Sequence, residues 1–435
     1  ALNDGRLLYL RWEYSDIPHY VARILFHMNT DGTDQKEFYG SGSYWPNAMF
    51  YARPIPGSPS KFVAVVGGHH DLPRMGELVL FDTARGRHEA DGVIQRIPGR
   101  GKKVEPVIRD NLTGESWPKF LHPWPLSDKY FIVASKPTPG SKWGIYLADV
   151  FDNLVLIKEA PDGRALLEPV PLRPVKRPPI VPSKVQPERK DALVFILDLY
   201  SGPGLAGVPR GTVKQLRLFT YQFAYHNMGG QVNRVGLDGP WDIKRVMGTV
   251  PVEEDGSAFF RVPANTPFSV QPLDSDGAAL QLMRSWMTAM PGETLSCVGC
   301  HDQQNSAPPA AAKSLAMSKP PAAITPWHGP VRGFSFAREV QPVLDRFCVG
   351  CHDGKAGPAE ALDFRAAPPV HPKAGDPTYN NGTQFTPSYL ALRSYVRGHT
   401  IESDMHLLTS CEFSADTTEL VQMLRAGHHG VKLDS

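Results

Sequence analysis

Two five-residue runs carry the chemistry that this chain can do. Cys297-Val298-Gly299-Cys300-His301 and Cys348-Val349-Gly350-Cys351-His352 each place two thiols three positions apart, with a histidine directly after the second. Thiols at that spacing can form thioethers with vinyl groups on one edge of a porphyrin, and the adjoining imidazole then reaches the iron from below. The competing reading is a four-cysteine zinc site, whose two pairs usually lie about 15 to 20 residues apart. Here the whole of 301–347 separates them. The motifs therefore predict two covalently attached haem c groups, held by Cys297, Cys300, Cys348 and Cys351, with His301 and His352 as iron ligands. Cys411, the fifth cysteine, reads as a passive thiol.

What each iron could do depends on its sixth ligand, because two strong ligands make an electron carrier while an open position admits a substrate. For the second motif the candidates are His428 and His429, which follow a helix pattern in the same C-terminal stretch as His352. For the first they are His69 or His70 of Gly67-Gly68-His69-His70, where paired glycines would let backbone approach a large planar group, and, less suggestively, His226 or Met228. His122, His328, His371, His399 and His406 sit in proline-rich or polar surroundings and read as surface. Glu253-Glu254 precedes Asp255-Gly256 and reads as an exposed hairpin turn. The sequence assigns no catalytic residue.

The elements that must hold these groups are mostly strands. The 435 residues include 42 Pro and 39 Gly, many for a helical protein. Short runs rich in β-branched and aromatic residues recur at 7–12, 21–28, 62–66, 77–81, 130–134, 144–148, 193–197 and 215–220, punctuated by Gly, Pro and Asp. The strand-then-turn unit ending in Asn29-Thr30-Asp31-Gly32-Thr33 resembles the repeat of TolB-type propellers. Residues 1–240 are thus expected to form a β-propeller-like domain, with a generic β-sandwich as the alternative. Sharper alternation at 244–250, 257–262, 268–273 and 279–285 predicts a small β-module over 241–304 that carries the first motif. Residues 305–330, rich in Ala, Pro, Ser and Lys, read as a linker.

From 331 to 435 the pattern turns helical, as in a c-type cytochrome domain with the second motif. Phe336, Val340, Val343, Leu344 and Phe347 recur at helical spacing, and Pro342 restricts the regular helix to a start near Val340. Asp416-Thr417-Thr418-Glu419 has the form of a capping box, and Gly427 that of a C-cap.

With 46 basic and 44 acidic residues the formal charge is +2, which gives no reason to expect nucleic acid or an anionic membrane as partner. No apolar run is long enough for a membrane-spanning helix. Haem attachment to such motifs takes place outside the cytoplasm, so a periplasmic or otherwise extracytoplasmic location is expected.

The stretch 248–263, from Gly248-Thr249-Val250-Pro251 to Phe260-Arg261-Val262-Pro263, resembles the hydrazine synthase alpha subunit family. The likeness continues through Leu280-Gln281-Leu282-Met283-Arg284-Ser285 to Ser296-Cys297. Gly67-Gly68-His69-His70 through Pro73-Arg74-Met75-Gly76-Glu77-Leu78, and Gly427-His428-His429-Gly430-Val431-Lys432-Leu433, are similar to the same family. The resemblance implies a propeller-type middle domain bearing a catalytic first haem and a C-terminal cytochrome domain bearing the second. It also implies an iron-ligating tyrosine four residues after the first motif histidine. Asn305 stands there instead, so this chain reads as a homologue with ordinary ligation by His301.

The sequence thus predicts a dihaem redox subunit, its first haem the candidate substrate site and its second passing electrons. Its partner would be a redox protein or other cytochrome subunits of a larger complex. The alternative is an electron-transfer or structural cytochrome with no catalytic haem.

Overall fold

The computed structural model describes residues 1–13, 23–68, 74–108, 111, 114–223, 235–237, 242–301, 313–355, 362–371, 384–396 and 407–433. The chain is mainly β and divides into two compact units, one built chiefly on residues 1–188 and the other beginning at Arg189. The sequence boundaries at 240, 304 and 330 mark changes of composition, a different division from that of the compact units.

In the first unit a seven-stranded sheet contains β1 (Leu7–Trp12), β2 (Arg23–Met28), β3 (Lys36–Tyr39), β4 (Ala48–Pro54), β5 (Lys61–Gly67), β6 (Glu77–Asp82) and β7 (Val93–Ile97). Their order is β1-β2-β4-β5-β6-β7, with β3 on β2. A second sheet, β11-β10-β9-β8, is formed from β8 (Lys119–Pro125), β9 (Tyr130–Lys136), β10 (Gly144–Asp149) and β11 (Leu154–Glu159). The run Phe62-Val63-Ala64-Val65-Val66 explains why β5 is central. Side chains alternate across a strand, so a continuous apolar run is stable only where both faces are covered. Val63 and Val65 join one buried cluster with Phe120, Phe131 and Val133 of the second sheet, while Phe62, Ala64 and Val66 join another with Tyr39, Met49 and Phe81.

Glu37 on β3 is a polar exception inside this unit. One of its carboxylate oxygens accepts from the Ser41 amide at 3.2 Å, and the other has no hydrogen-bond partner. Burial raises its pKa from 4.5 to about 7, against the opposing pull of the Ser41 amide and Arg87. A carboxyl group whose pKa is raised by folding binds more protons in the native than in the unfolded state between those values. Stability therefore falls as pH rises from 4.5 to about 7. Glu37→Gln is expected to remove a slope of roughly 1 kcal/mol per pH unit in that window, measured as the urea midpoint against pH.

The second unit begins as two packed three-stranded sheets. Strands β12 (Asp191–Ile196), β15 (Ala258–Pro263) and β17 (Thr294–Cys297) make one, in the order β15-β12-β17. Strands β13 (Gln215–Phe223), β14 (Asp242–Pro251) and β16 (Phe268–Leu273) make the other, in the order β14-β13-β16. Val194, Ile196, Leu216, Leu218, Phe260 and Phe268 meet between them. Where the sequence reads as a linker, the described residues are bonded to this sandwich: Thr325 pairs with Thr249 of β14, and Ala322 exchanges backbone hydrogen bonds with Phe259 and Arg261 of β15. Among the described residues beyond it lie three short α-helices, α1 (Gln341–Phe347), α2 (Pro387–Arg393) and α3 (Glu419–Ala426).

Candidate cofactor sites

The second motif is delivered by a helix. Pro342 lies in the first turn of α1, where its missing N–H costs nothing. Cys348 caps the helix with its amide on the Leu344 carbonyl at 2.9 Å, and the His352 amide donates to the Cys348 carbonyl at 2.9 Å, adding one more helical turn. Gln341 fixes this turn from within. Its side-chain amide donates to the Phe364 carbonyl at 2.8 Å, and its oxygen accepts from the Ser388 hydroxyl of α2 at 2.6 Å. The Phe364 amide in turn donates to the His352 carbonyl at 3.0 Å, and its ring lies 5.0 Å from the imidazole.

At the far end, α3 stops at Gly427, whose φ of 91° is the left-handed conformation expected of a helix C-cap. The N-terminus differs from the sequence reading. Thr418, and not Asp416, is the cap residue, and its hydroxyl donates to the Ala415 carbonyl of a preceding 3-10 turn. After Gly427 the chain turns back, with Val431 N–H on the His428 carbonyl at 2.9 Å.

This turn sets the His428 ring 5.9 Å from that of His352, with the two planes only 13° apart, while His429 stands across His428 at 4.6 Å and 79°. An imidazole nitrogen lies about 1 Å from its ring centre and binds a first-row metal at about 2 Å, so two rings sharing one ion have centres about 6 Å apart. His352 and His428 have that spacing. Burial, and then the two neighbouring histidines, lower the pKa of His352, favouring the neutral imidazole that a metal requires. Burial raises the Cys348 thiol, with Cys351 adding to the effect. These residues fit a haem c: Cys348 and Cys351 would hold it, and His352 and His428 would be available to ligate its iron.

The first motif ends a strand instead. Cys297 closes β17 opposite Ile196 in the parallel pair with β12, and the carbonyls of Cys297 and Val298 accept the amides of Leu197 and Asp198 at 2.9 and 3.0 Å. Two glycines make the turn fit. A Cβ on Gly299 would lie 2.1 Å from the Ser201 carbonyl oxygen, and one on Gly204 would lie 2.6 Å from Cys300 Sγ. Gln281 locks the Gly204 loop, donating to the carbonyls of Gly204 at 2.6 Å and Leu408 at 2.8 Å. Cys297 and Cys300 rest half-buried against the sandwich core, as does Cys411, whose amide donates to the Leu280 carbonyl at 2.8 Å. His301 is exposed, at a φ of 60°. The residues of this turn fit a haem c, which Cys297 and Cys300 would hold with His301 available to its iron. Gly299→Ala is expected to cost about 3 kcal/mol and to lower haem content from two to one per chain, measured by denaturant unfolding and by the pyridine haemochrome spectrum.

Residues 211–302, which span β13 to β17 and the whole first motif, match the family described as the hydrazine synthase alpha subunit middle domain. Over these residues the chain is hydrazine synthase alpha-like. Its fold also matches a solved structure of Kuenenia stuttgartiensis hydrazine synthase, with a TM-score of 0.64 at 17% identity over 93% of this chain. The likeness covers 60% of that solved chain, so this sequence spans rather less than two thirds of its length. No curated protein matches it. In this hydrazine synthase alpha-like chain, His69, His70, His226, Met228, Asn305, His399 and His406 lie outside the described residues. His371 is exposed, and His328 stands edge-on to Trp327 at 4.8 Å.

His122 departs from its sequence reading as a surface residue. It lies within β8 with its side chain only 15% exposed and its ring 4.3 Å from that of Tyr51. Gln281 and Gly204, which position Cys300, carry no local motif. Only the recurrence of Leu280-Gln281-Leu282 within the family-like stretch marked their neighbourhood. No helix among the described residues is long and apolar enough to cross a membrane.

Proposed function

We propose that this protein is an extracytoplasmic dihaem c-type redox subunit, in which the first motif serves a substrate-accessible site and the second an electron-transfer site. The observation that carries the reading is an asymmetry. His352 faces a second, near-parallel imidazole, while His301 is exposed on a turn that glycines let pack closely against its neighbours. Bound haem supplies reversible one-electron transfer at its iron. The protein's part at the second site is to hold His352 through the Gln341–Phe364 network and to set His428 by the turn at Gly427, which keeps reorganisation small. At the first site it is to fix Cys297 and Cys300 on a core-packed strand while leaving the His301 side accessible.

The mainly antiparallel strands of the first unit support a propeller-like arrangement, and the helices after residue 331 support a cytochrome domain. The family match supports assembly with other redox subunits. A pure electron carrier is the second reading, favoured by the same His352–His428 pair. Haem-stained denaturing gels with mass spectrometry of the purified chain test the foundation: two covalently added haems support it, and an unmodified mass from a cell competent in haem c maturation contradicts it.

A further inference from the structure

A second site lies in the first unit. Four of the twelve non-glycine residues with positive φ among the described residues converge there: Tyr51 at 51°, Arg74 at 66°, His122 at 49° and Glu168 at 52°. Side chains rarely tolerate this region, and such strain persists where the surrounding structure holds a functional group in place.

Each is held by an identifiable device. Tyr51 sits in the bulge of β4 between Phe50 and Arg53, and His122 in the bulge of β8 between Leu121 and Trp124. Bulges re-aim side chains, and here the two rings meet at 4.3 Å. Gly76 exchanges both backbone hydrogen bonds with Phe120, two residues before His122, and so anchors Arg74 two residues before itself. Only glycine fits there, because a Cβ would lie 2.1 Å from the Val66 carbonyl oxygen. Arg53 is stacked on Trp124 at 4.3 Å and Arg74 lies over Phe50 at 6.0 Å. Glu168 is brought in by an extended segment that Arg173, on the Leu126 carbonyl, helps hold down.

The hydrogen-bond polarity of this cluster selects its ligand. The Glu168 backbone N–H donates to His122 Nδ1 at 3.4 Å, so the neutral imidazole carries its proton on Nε2. That nitrogen then offers a donor and no lone pair for a metal. Arg53 and Arg74 have only donors, and the Tyr51 hydroxyl can add another. The acceptor that balances them is Glu168, whose carboxylate stands 3.8 Å from His122 Nε2 with its side chain 79% exposed. Burial lowers the pKa of His122 and of Arg53, with Glu168 opposing both, and raises that of Tyr51, so all three groups share one electrostatic environment.

We propose that Tyr51, Arg53, Arg74 and His122 form a binding site for a small oxyanion, of the carboxylate or phosphate type, with Glu168 as the internal carboxylate that the ligand displaces. Isothermal titration of the purified full chain with sodium phosphate and with sodium acetate, at constant ionic strength, tests this independently of haem content. Saturable binding at one site per chain is expected. The Arg53→Ala, Arg74→Ala double variant should weaken it by about tenfold or more. Both arginines are exposed, so the fold should survive, as checked by far-ultraviolet circular dichroism. Glu168→Gln should tighten binding by about threefold or more, which a purely structural glutamate would not do. Preference for phosphate or for acetate decides which anion type the site is built for. Absence of saturable binding by both anions, or binding unchanged by the double substitution, overturns the proposal. Failure of Glu168→Gln to tighten binding overturns the role of Glu168.

Discussion

Replacing His428 by alanine is expected to convert the second haem from low-spin to high-spin, while His429→Ala leaves it low-spin. The two residues are neighbours, and the sequence offers both as ligands for the second motif. Geometry separates them. The His428 ring lies near-parallel to His352 at the spacing of two imidazoles sharing one ion, whereas His429 is turned 79° from His428 and is more exposed. Loss of a strong axial ligand changes the ligand field outright, so the expected effect is conversion of that haem's whole electron paramagnetic resonance signal. An equal effect from both substitutions, or from His429→Ala alone, would contradict the pairing.

The second large effect concerns folding. Helices α1, α2 and α3 have seven, seven and eight residues, well below the roughly 12 to 15 at which isolated helices become even marginal in water. The three hydrophobic clusters draw their buried residues from before residue 290. Among the described residues beyond 331 the buried apolar side chains are Leu344, Phe364 and Leu408. On the proposed dihaem reading, a stretch so built would take its stability from a covalently held group and the bonds to its iron, as small metal-bound domains do. Replacing Cys348 and Cys351 by alanine is therefore expected to abolish amide-exchange protection in α1 to α3. The strands of the sandwich, with a core of their own, should keep theirs. Retained protection in the helices would show that the polypeptide folds this region unaided.

Much of this was legible in the sequence. The two motifs stand out by their spacing alone, and the runs at 62–66 and 77–81 appear as β5 and β6 because each buries both faces. Strands β3, β4, β7, β8, β11 and β17 escaped notice, three of them for local reasons. Both β4 and β8 contain bulges and end in proline, which break the period of two, and β11 is largely exposed, so it has no apolar alternation to show. The capping-box pattern at 416–419 failed because a 3-10 turn takes up Ala415 to Thr417 and moves the cap to Thr418. The pairing of His428 with His352 follows from a left-handed Gly427 whose effect on direction no pattern encodes. The cluster around His122 was invisible for a related reason: it is assembled from two bulges and a distant extended segment, none of which has a motif.

The most direct measurement is the electron paramagnetic resonance and optical spectrum of the purified oxidised protein, with haem content determined on the same sample. Two haems per chain are predicted, one low-spin from the His352–His428 pair and one high-spin at the His301 site. Two low-spin haems would contradict a substrate-accessible first site and leave an electron carrier, and two high-spin haems would contradict the histidine pair.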